Sequence, residues 1–160
     1  MEEVGIRLAT PADAPVLEAF QVRLAAESEG LELDPETVRR GVEGVFECPA
    51  RGQYRVAEQG GRIVGALLVT SEWSDWRAAT VLWIHSVYVV PEARRQGVYR
   101  RLQAAVRDRV TASSDLAGIR MIIDKRNAAS RRAAEALGYA CEHYDTYEWL
   151  KPATTDSPSW

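Results

Sequence analysis

Four arginines surround a single glycine at the predicted start of a helix, within residues 94–101. Acidic side chains are usually preferred at a helix N-terminus, because the helix dipole places partial positive charge there. Arg94, Arg95, Arg100 and Arg101 instead add positive charge, and Gly97 leaves the nearby backbone N–H groups without a covering side chain. Backbone donors, dipole and guanidinium groups together are typical of an anion site and suit phosphate best. The alternative is a solvated arginine face with an ordinary loop glycine.

Other phosphate-binding and metal-binding motifs do not account for this segment. Gly60 and Gly65 have the glycine spacing of a P-loop, but Ala66 and Leu67 stand where Lys and Ser or Thr are required. No GxGxxG follows a predicted strand, so a dinucleotide fold is not indicated. The chain has two histidines and two isolated cysteines, so we expect no metal site.

His85 is the candidate for proton transfer. It lies on a long strand predicted over residues 79–90, and strand alternation would place it on the same face as Val87 and Val89. An imidazole has an ordinary pKa of about 6.5, which suits a base near neutral pH. The alternative is a buried histidine that bonds to the backbone, and we interpret His143 as structural.

Aromatic and acidic side chains mark a candidate cleft for a second ligand. Trp73 and Trp76 lie in a polar segment predicted to be a loop, where large aromatic residues often mark binding surfaces. Trp83 alternates with core positions and is a candidate for the same cleft. Glu29 and its acidic neighbours would favour a cationic ligand. The alternative is that the tryptophans cover the core or form the interface of a homodimer.

These residues are positioned by elements in the predicted order β-α-α-β-β-β-α-β-α-β. Period-two and helical spacing predict the strands, and Thr10, Asp34 and Gly138 are signals for helix ends. The strands are predicted over residues 4–9, 54–58, 63–70, 79–90, 118–124 and 139–150. This order mixes a hairpin meander with β-α-β units, so it predicts an α/β fold with a mixed sheet flanked by helices.

Length and composition predict one globular domain. The chain has 160 residues, of which 46% are hydrophobic and 27% charged, and its formal net charge is −3. That charge disfavours general binding to nucleic acid. The acidic start lacks an apolar signal segment, and no apolar run approaches the roughly 20 residues of a membrane helix, so we expect a cytoplasmic protein. We predict a domain over residues 1–150 and a disordered tail over residues 151–160.

The chain resembles the GCN5-related N-acetyltransferase (GNAT) family in two segments. In that family a strand leads into Arg/Gln-x-x-Gly-x-Gly/Ala at the start of a helix. Arg94 and Gly97 match the first and fourth positions of this motif, and Tyr99 stands at the sixth. A later strand, an Asn and a helix that ends at Gly are matched by residues around Asn127 and Gly138. The resemblance implies a GNAT-like acyl-CoA N-acyltransferase fold.

The resemblance also implies an acetyl-CoA site with three parts. The diphosphate would meet backbone N–H groups at the helix start, and the pantetheine arm would pair with the backbone of a splayed strand. The Asn127 amide would hydrogen-bond the arm, although the same residue type is also a common helix cap. The cofactor-binding residues implied are Val87, Val89, Arg94, Arg95, Gln96, Gly97, Val98, Tyr99, Arg100 and Asn127.

The reaction implied is transfer of an acetyl group to a primary amine of a small molecule or peptide. The amine would attack the thioester directly, the Val89 N–H would polarise the carbonyl, and His85 is the candidate base. Many family members carry a Tyr that serves the sulfur four residues before the helix-ending Gly, but here this residue is Ala134. Candidate substitutes are Tyr99, Tyr139 and Tyr144. The alternatives are a non-catalytic acyl-CoA-binding sensor or interaction module, or a general phosphate-binding or nucleotide-binding domain.

Overall fold

A five-stranded mixed sheet organises the computed structural model, which describes residues 3–151. Its strands are β1 (Gly5–Leu8), β2 (Gln53–Gln59), β3 (Arg62–Ser74), β4 (Ala79–Val89) and β5 (Leu116–Met121). They lie side by side in chain order, antiparallel from β1 to β4 and parallel between β4 and β5. The α-helices in this part of the chain are α1 (Ala14–Glu29), α2 (Pro35–Glu47), α3 (Val98–Thr111) and α4 (Ala128–Glu135). The α/β fold class is therefore confirmed.

Helices cover both faces of the sheet. The ring of Tyr88 in β4 packs against Phe20 of α1, with centroids 5.0 Å apart. A side chain on Gly65 of β3 would instead meet Val98 of α3. Tyr88 pairs with Ala66, which directly follows Gly65, and successive residues of a strand face opposite sides. We call the side that carries Tyr88 the α1/α2 face, since α2 packs beside α1.

The predicted helix-start signals form caps. Thr10 and Asp13 make a capping box around a short 3-10 turn that leads into α1. Asp34 accepts a hydrogen bond from the Thr37 N–H, at 2.8 Å, at the start of α2. Asp13 also pairs with Arg7 of β1 at 2.8 Å, and the hydrogen bond from Arg7 lowers the pKa of Asp13 to about 2. Asp13 therefore joins the start of the first helix to the sheet.

Gly65 lets the start of α3 approach the sheet closely. A Cβ atom on Gly65 would lie 3.1 Å from the Tyr88 carbonyl oxygen, 3.1 Å from Cγ1 of Val98 and 3.3 Å from Cγ2 of Val89. Val98 is the first residue of α3 and is buried. Because a backbone oxygen cannot yield as a flexible side chain does, the position of the α3 start depends on this glycine.

The segment predicted to be a loop before β4 is a hairpin in the structure. β3 continues to Ser74, and its last residues pair with β4 in register, as Trp73 does with Thr80. Ladder hydrogen bonds therefore override the polar composition that indicated a loop.

The strand predicted over residues 139–150 is absent from the described residues 139–151, which have no regular secondary structure. Tyr144, Tyr147 and Trp149 are all exposed. Their spacing puts Tyr144 on one face of a strand and the other two on the opposite face. No single apolar face therefore favours burial against a neighbouring strand.

The chain divides after Asp124 into two compact units, each with its own internal contacts. The sheet and the first three helices belong to the first unit, and α4 to the second. The single domain over residues 1–150 stays a prediction, and residues 152–160 of the predicted tail lie outside the described residues. None of the helices described is both long and apolar enough to cross a membrane.

Candidate active site

The last part of β4 has an open edge. Its parallel pairing with β5 ends at Ile84 and Met121, and β5 itself ends there, whereas β4 continues to Val89. Within residues 3–151, no strand pairs with this side of His85–Val89. We call this stretch the open edge.

A β-bulge changes the phase of β4 just before the open edge ends. Leu68 pairs with His85 but Ala66 pairs with Tyr88, so two residues of β4 lie opposite one of β3. Ser86, in the bulge, has a φ of +50°, which is uncommon for a residue other than glycine. Val87 lies in the bulge as well. Bulges of this kind re-aim side chains and are frequent beside active sites.

The backbone N–H of Val89 faces the open edge. Val90 donates a hydrogen bond to the Val64 carbonyl at 2.9 Å, so the Val90 N–H faces β3 and Val90 and Val64 are a hydrogen-bonded pair of the ladder. Hydrogen-bonded pairs alternate with non-bonded pairs in an antiparallel ladder. Val89, opposite Gly65, is therefore in a non-bonded pair and directs both its N–H and its C=O away from β3.

The loop between β4 and α3 has an unusual backbone that exposes donors. Arg95 has a φ of +60° and Gly97 a φ of +83°, so two residues in three are left-handed. Such alternation turns successive N–H groups toward one concave side, as in anion-binding nests. Gly97 is also the N-cap of α3, and no side chain caps that helix. A Cβ on Gly97 would have no protein atom within 4 Å, so the space beside these donors is open.

Arg94 is held by the protein rather than directed into that space. Its Nε donates to the Val89 carbonyl at 2.9 Å, and another guanidinium nitrogen donates to Glu27 of α1. The Tyr88 hydroxyl donates to the other Glu27 oxygen at 2.8 Å, and the Arg94 guanidinium lies 5.6 Å from the Tyr88 ring centroid. Hydrogen bonds from Arg94 and Tyr88 lower the pKa of Glu27. Glu27 thus fixes the end of α1 to β4 and to the loop.

The remaining polar side chains of the loop have two kinds of role. Arg95 and Arg100 are exposed, whereas Arg101 donates to the Val4 carbonyl at 3.1 Å. Gln96 closes the loop by donating to the Glu92 carbonyl at 2.7 Å. Gln96 therefore stabilises the loop, whereas Arg101 joins α3 to the residue before β1.

His85 is half-buried on the α1/α2 face, beside Thr70. Its Nε2 lies 3.0 Å from the Thr70 hydroxyl, and burial lowers the pKa of the imidazole. The expectation that His85 shares a face with Val89 is wrong, because the bulge adds one residue between them. His85 instead shares its face with Tyr88, since their partners Leu68 and Ala66 are two residues apart.

Trp83 lies next to His85 on the same face. The two rings are stacked at 18° with centroids 6.1 Å apart. The Trp83 indole N–H donates to Glu72 at 2.6 Å, and Arg120 of β5 donates to the same carboxylate at 2.9 Å. The Arg120 guanidinium also lies 5.7 Å from the Trp83 ring centroid. Residues from three strands therefore form one connected polar cluster.

The other predicted cleft residues do not join this cluster. Trp73 is an odd number of residues from Glu72 along β3, so it faces the opposite side of the sheet. Trp76 lies in the hairpin turn and is 89% exposed. Glu29 is exposed at the last position of α1. The single cleft predicted for Trp73, Trp76 and Trp83 is therefore wrong, because strand alternation separates two of them.

In the second unit, Asn127 caps α4. Its Oδ1 accepts a hydrogen bond from the Ser130 N–H at 3.0 Å, and Gly138, with a φ of +86°, follows the helix end. Ala134 lies inside α4, where its methyl group has no proton to donate. The helix cap that we named as the alternative for Asn127 is thus present, and its contact with a ligand stays a prediction.

Sequence reasoning missed Tyr88 and its hydrogen bond to Glu27. Their hydrogen bond joins residues 61 positions apart, and no local pattern announces such a contact. The sequence signal that could have identified Tyr88 is a tyrosine among aliphatic residues near the end of a predicted strand. No cluster of three His, Cys, Asp or Glu side chains suited to a metal ion occurs within residues 3–151.

Known proteins share this architecture. The acetyltransferase (GNAT) family pattern matches residues 20–139. A possible acetyltransferase from Clostridium difficile 630 is 32% identical, with a TM-score of 0.89 over 95% of this chain and 100% of that one. No curated protein sequence matches the chain.

Two more distant structures share the fold. One is a predicted acetyltransferase from Clostridium acetobutylicum with acetyl-CoA, at 16% identity and a TM-score of 0.69 over 94% of this chain and 96% of that one. The other is an aminoglycoside acetyltransferase from an uncultured soil metagenomic sample, in complex with sisomicin. It is 17% identical, with a TM-score of 0.72 over 94% of this chain and 97% of that one. Because the family pattern spans most of the chain, the protein that carries this open edge of β4 and this start of α3 belongs to the GNAT acetyltransferase family.

Proposed function

We propose that the protein transfers an acetyl group from acetyl-CoA to a primary amine of a small molecule or peptide by direct attack. The observation that carries the proposal is that the open edge of β4 leads straight into the β4–α3 loop. An extended amide chain and a diphosphate can therefore be bound in succession by backbone groups. Membership of an acetyltransferase family supports acyl transfer in general.

The diphosphate is assigned to the backbone N–H groups of residues 95–99. The left-handed conformations of Arg95 and Gly97 and the uncapped start of α3 make these groups good anion donors. The open space at Gly97 gives room for phosphate oxygens. Arg95 and Arg100 supply nearby positive charge, whereas we assign Arg94 to holding the loop because its guanidinium is committed to Glu27 and Val89.

The pantetheine arm is assigned to the open edge, near Val87 and Val89. This arm carries amides, which can pair with an unpaired strand edge as another strand would. The Val89 N–H faces that edge and is a donor for the thioester carbonyl as negative charge develops on its oxygen. Both residues contribute through the backbone.

His85 is assigned the proton of the attacking amine, which would approach from the α1/α2 face. Because burial lowers its pKa, the imidazole is neutral at pH 7 and is able to accept a proton. Trp83 lies on the same face beside His85, and Glu29 lies at the end of α1. The carboxylates of Glu27 and Glu72 already pair with arginines, so they give little net attraction for a cationic acceptor.

A second candidate function is a non-catalytic module that binds acyl-CoA. Ala134 favours it, because many family members have at this position a tyrosine that serves the sulfur. A thiolate of pKa about 8.5 can be protonated by water, so the absence of that tyrosine alone does not prevent turnover.

Thiol release from acetyl-CoA over a panel of primary amines separates these two candidates. The proposed enzyme releases CoA in proportion to one amine, and mass spectrometry finds that amine heavier by one acetyl group. CoA binding by calorimetry without thiol release from any amine supports the module. A thermal shift with ATP or NAD but none with CoA would contradict both the enzyme and the acyl-CoA-binding module.

A further inference from the structure

The Thr70 hydroxyl and the Trp83 ring fix two features of His85 that the proposed reaction leaves open. Thr70 is the direct cross-strand partner of Trp83 and the diagonal neighbour of His85. Its hydroxyl lies 3.0 Å from His85 Nε2, so one ring nitrogen is already committed to a hydrogen bond. Nδ1 is therefore the candidate nitrogen for direct proton exchange with a ligand.

The Trp83 ring restricts rotation of the imidazole. It is stacked on His85 at 18°, and its own orientation is fixed because its indole N–H donates to Glu72 at 2.6 Å. Arg120 holds the Glu72 carboxylate from the neighbouring strand at 2.9 Å. The Trp83 ring therefore limits the orientation of the imidazole, and the Thr70 hydroxyl is hydrogen-bonded to one of its nitrogens.

We propose that Thr70 and Trp83 are positioning residues that hold His85 in the tautomer with its proton on Nε2 and its lone pair on Nδ1. This inference rests on the proposed acetyl transfer, in which Nδ1 takes a proton from the acceptor amine. As the nitrogen–carbon bond forms and the carbon–sulfur bond breaks, the electron pair leaves with the sulfur. His85 becomes an imidazolium and then returns its proton to water.

A threonine hydroxyl suits this role because it can either donate or accept. When it accepts from Nε2–H, the same hydrogen bond persists in the neutral and in the protonated ring, so nothing must rearrange during proton transfer. In the opposite tautomer the hydroxyl would donate to Nε2, Nδ1 would carry the proton, and the ring would offer the amine no lone pair.

Charges on this face balance on both sides of His85. Glu72 pairs with Arg120 on the Trp83 side, and Glu27 pairs with Arg94 on the Tyr88 side. Neither pair presents a net charge to the imidazole. Burial is the cause that lowers the pKa of the imidazole.

Nitrogen-15 NMR of the imidazole tests the tautomer without any ligand. The chain contains two histidines, and His143, whose side chain is 79% exposed, is an internal reference for a solvent-exposed imidazole. We expect Nε2 of His85 to be protonated in the neutral ring. T70V should convert this to a mixture of tautomers, whereas T70S should preserve it. A proton on Nδ1 in the unmodified protein, or a tautomer unchanged by T70V, would overturn the inference.

Kinetics on the same variants test the consequence for catalysis. A lost hydrogen bond of ordinary strength predicts that kcat falls roughly three- to tenfold in T70V and stays within about twofold in T70S, with the CoA dissociation constant unchanged in both. An unchanged kcat and pH–rate profile in T70V overturns the positioning role. Absence of turnover with every amine overturns the proposed function and the proton transfer together, while the NMR result still decides the tautomer.

Discussion

Replacing Gly97 with Glu should abolish CoA binding without unfolding the protein. The substitution acts in two ways, which can be separated. Gly97 has a φ of +83°, so any other residue there carries a backbone strain of about 1–2 kcal/mol. The new carboxylate would also lie beside the donors assigned to the diphosphate. At ~5 Å and an effective dielectric of ~20, each unit of like charge costs about 3 kcal/mol.

Gly61 supplies the matched control. It has a φ of +71°, and a Cβ there also has no protein atom within 4 Å, so Gly61→Glu carries the same strain and the same charge. It lies in the turn between β2 and β3 instead of the β4–α3 loop. Both variants should lose about 1–2 kcal/mol of unfolding free energy in urea. Only Gly97→Glu should raise the CoA dissociation constant, by at least about 100-fold in calorimetry.

Two outcomes would refute this reasoning. If Gly97→Glu binds CoA with the affinity of the unmodified protein, the diphosphate is bound elsewhere. If both variants lose CoA binding equally, the loss reflects strain or overall charge, and the nest at the start of α3 has no specific part in it.

Three further predictions concern the groups around the site. Glu27→Gln breaks the ion pair with Arg94, and because both side chains are nearly half exposed it should lower the unfolding free energy by less than about 1 kcal/mol. CoA affinity should change less than about twofold, because Arg94 still donates to the Val89 carbonyl; a large loss in calorimetry would contradict this and show that the loop depends on the ion pair. Asp13→Asn should lower the unfolding free energy by on the order of 2 kcal/mol at pH 7, because the lowered pKa of Asp13 stabilises the fold above pH ~4. This stabilisation is lost as the pH falls toward about 2, so an equal loss of unfolding free energy in urea at pH 2 and pH 7 would contradict the prediction. Gly65→Ala should destabilise the fold by about 1–3 kcal/mol and weaken CoA binding, because the new methyl group would displace the start of α3. Gly118→Ala, whose Cβ would meet open space, should do neither, and equal changes of melting temperature in the two variants would contradict this.

The features that sequence predicts well are those set by local patterns. The hairpin, the long strand, the helix caps at Thr10 and Asp34, and the glycine-led start of α3 all follow from spacing and residue type. The left-handed glycine at the start of α3 is predictable for the same reason, since Gly97 and the four arginines lie within eight residues of the chain.

The features that sequence does not predict depend on pairing between distant segments. No glycine or proline marks the bulge at Ser86, yet this one extra residue decides which face His85 occupies. The role of Arg94 depends on Glu27, 67 residues earlier in the chain. The pairing of β3 with β4 likewise turns a polar, tryptophan-containing stretch into strand and separates Trp73 from Trp83.

A crystal structure of the protein with CoA tests the central claim most directly. The account predicts diphosphate oxygens within hydrogen-bonding distance of the N–H groups of residues 95–99, and the pantetheine arm along the open edge with its sulfur end near the Val89 N–H. A diphosphate bound anywhere else, or an arm that does not contact His85–Val89, would contradict it.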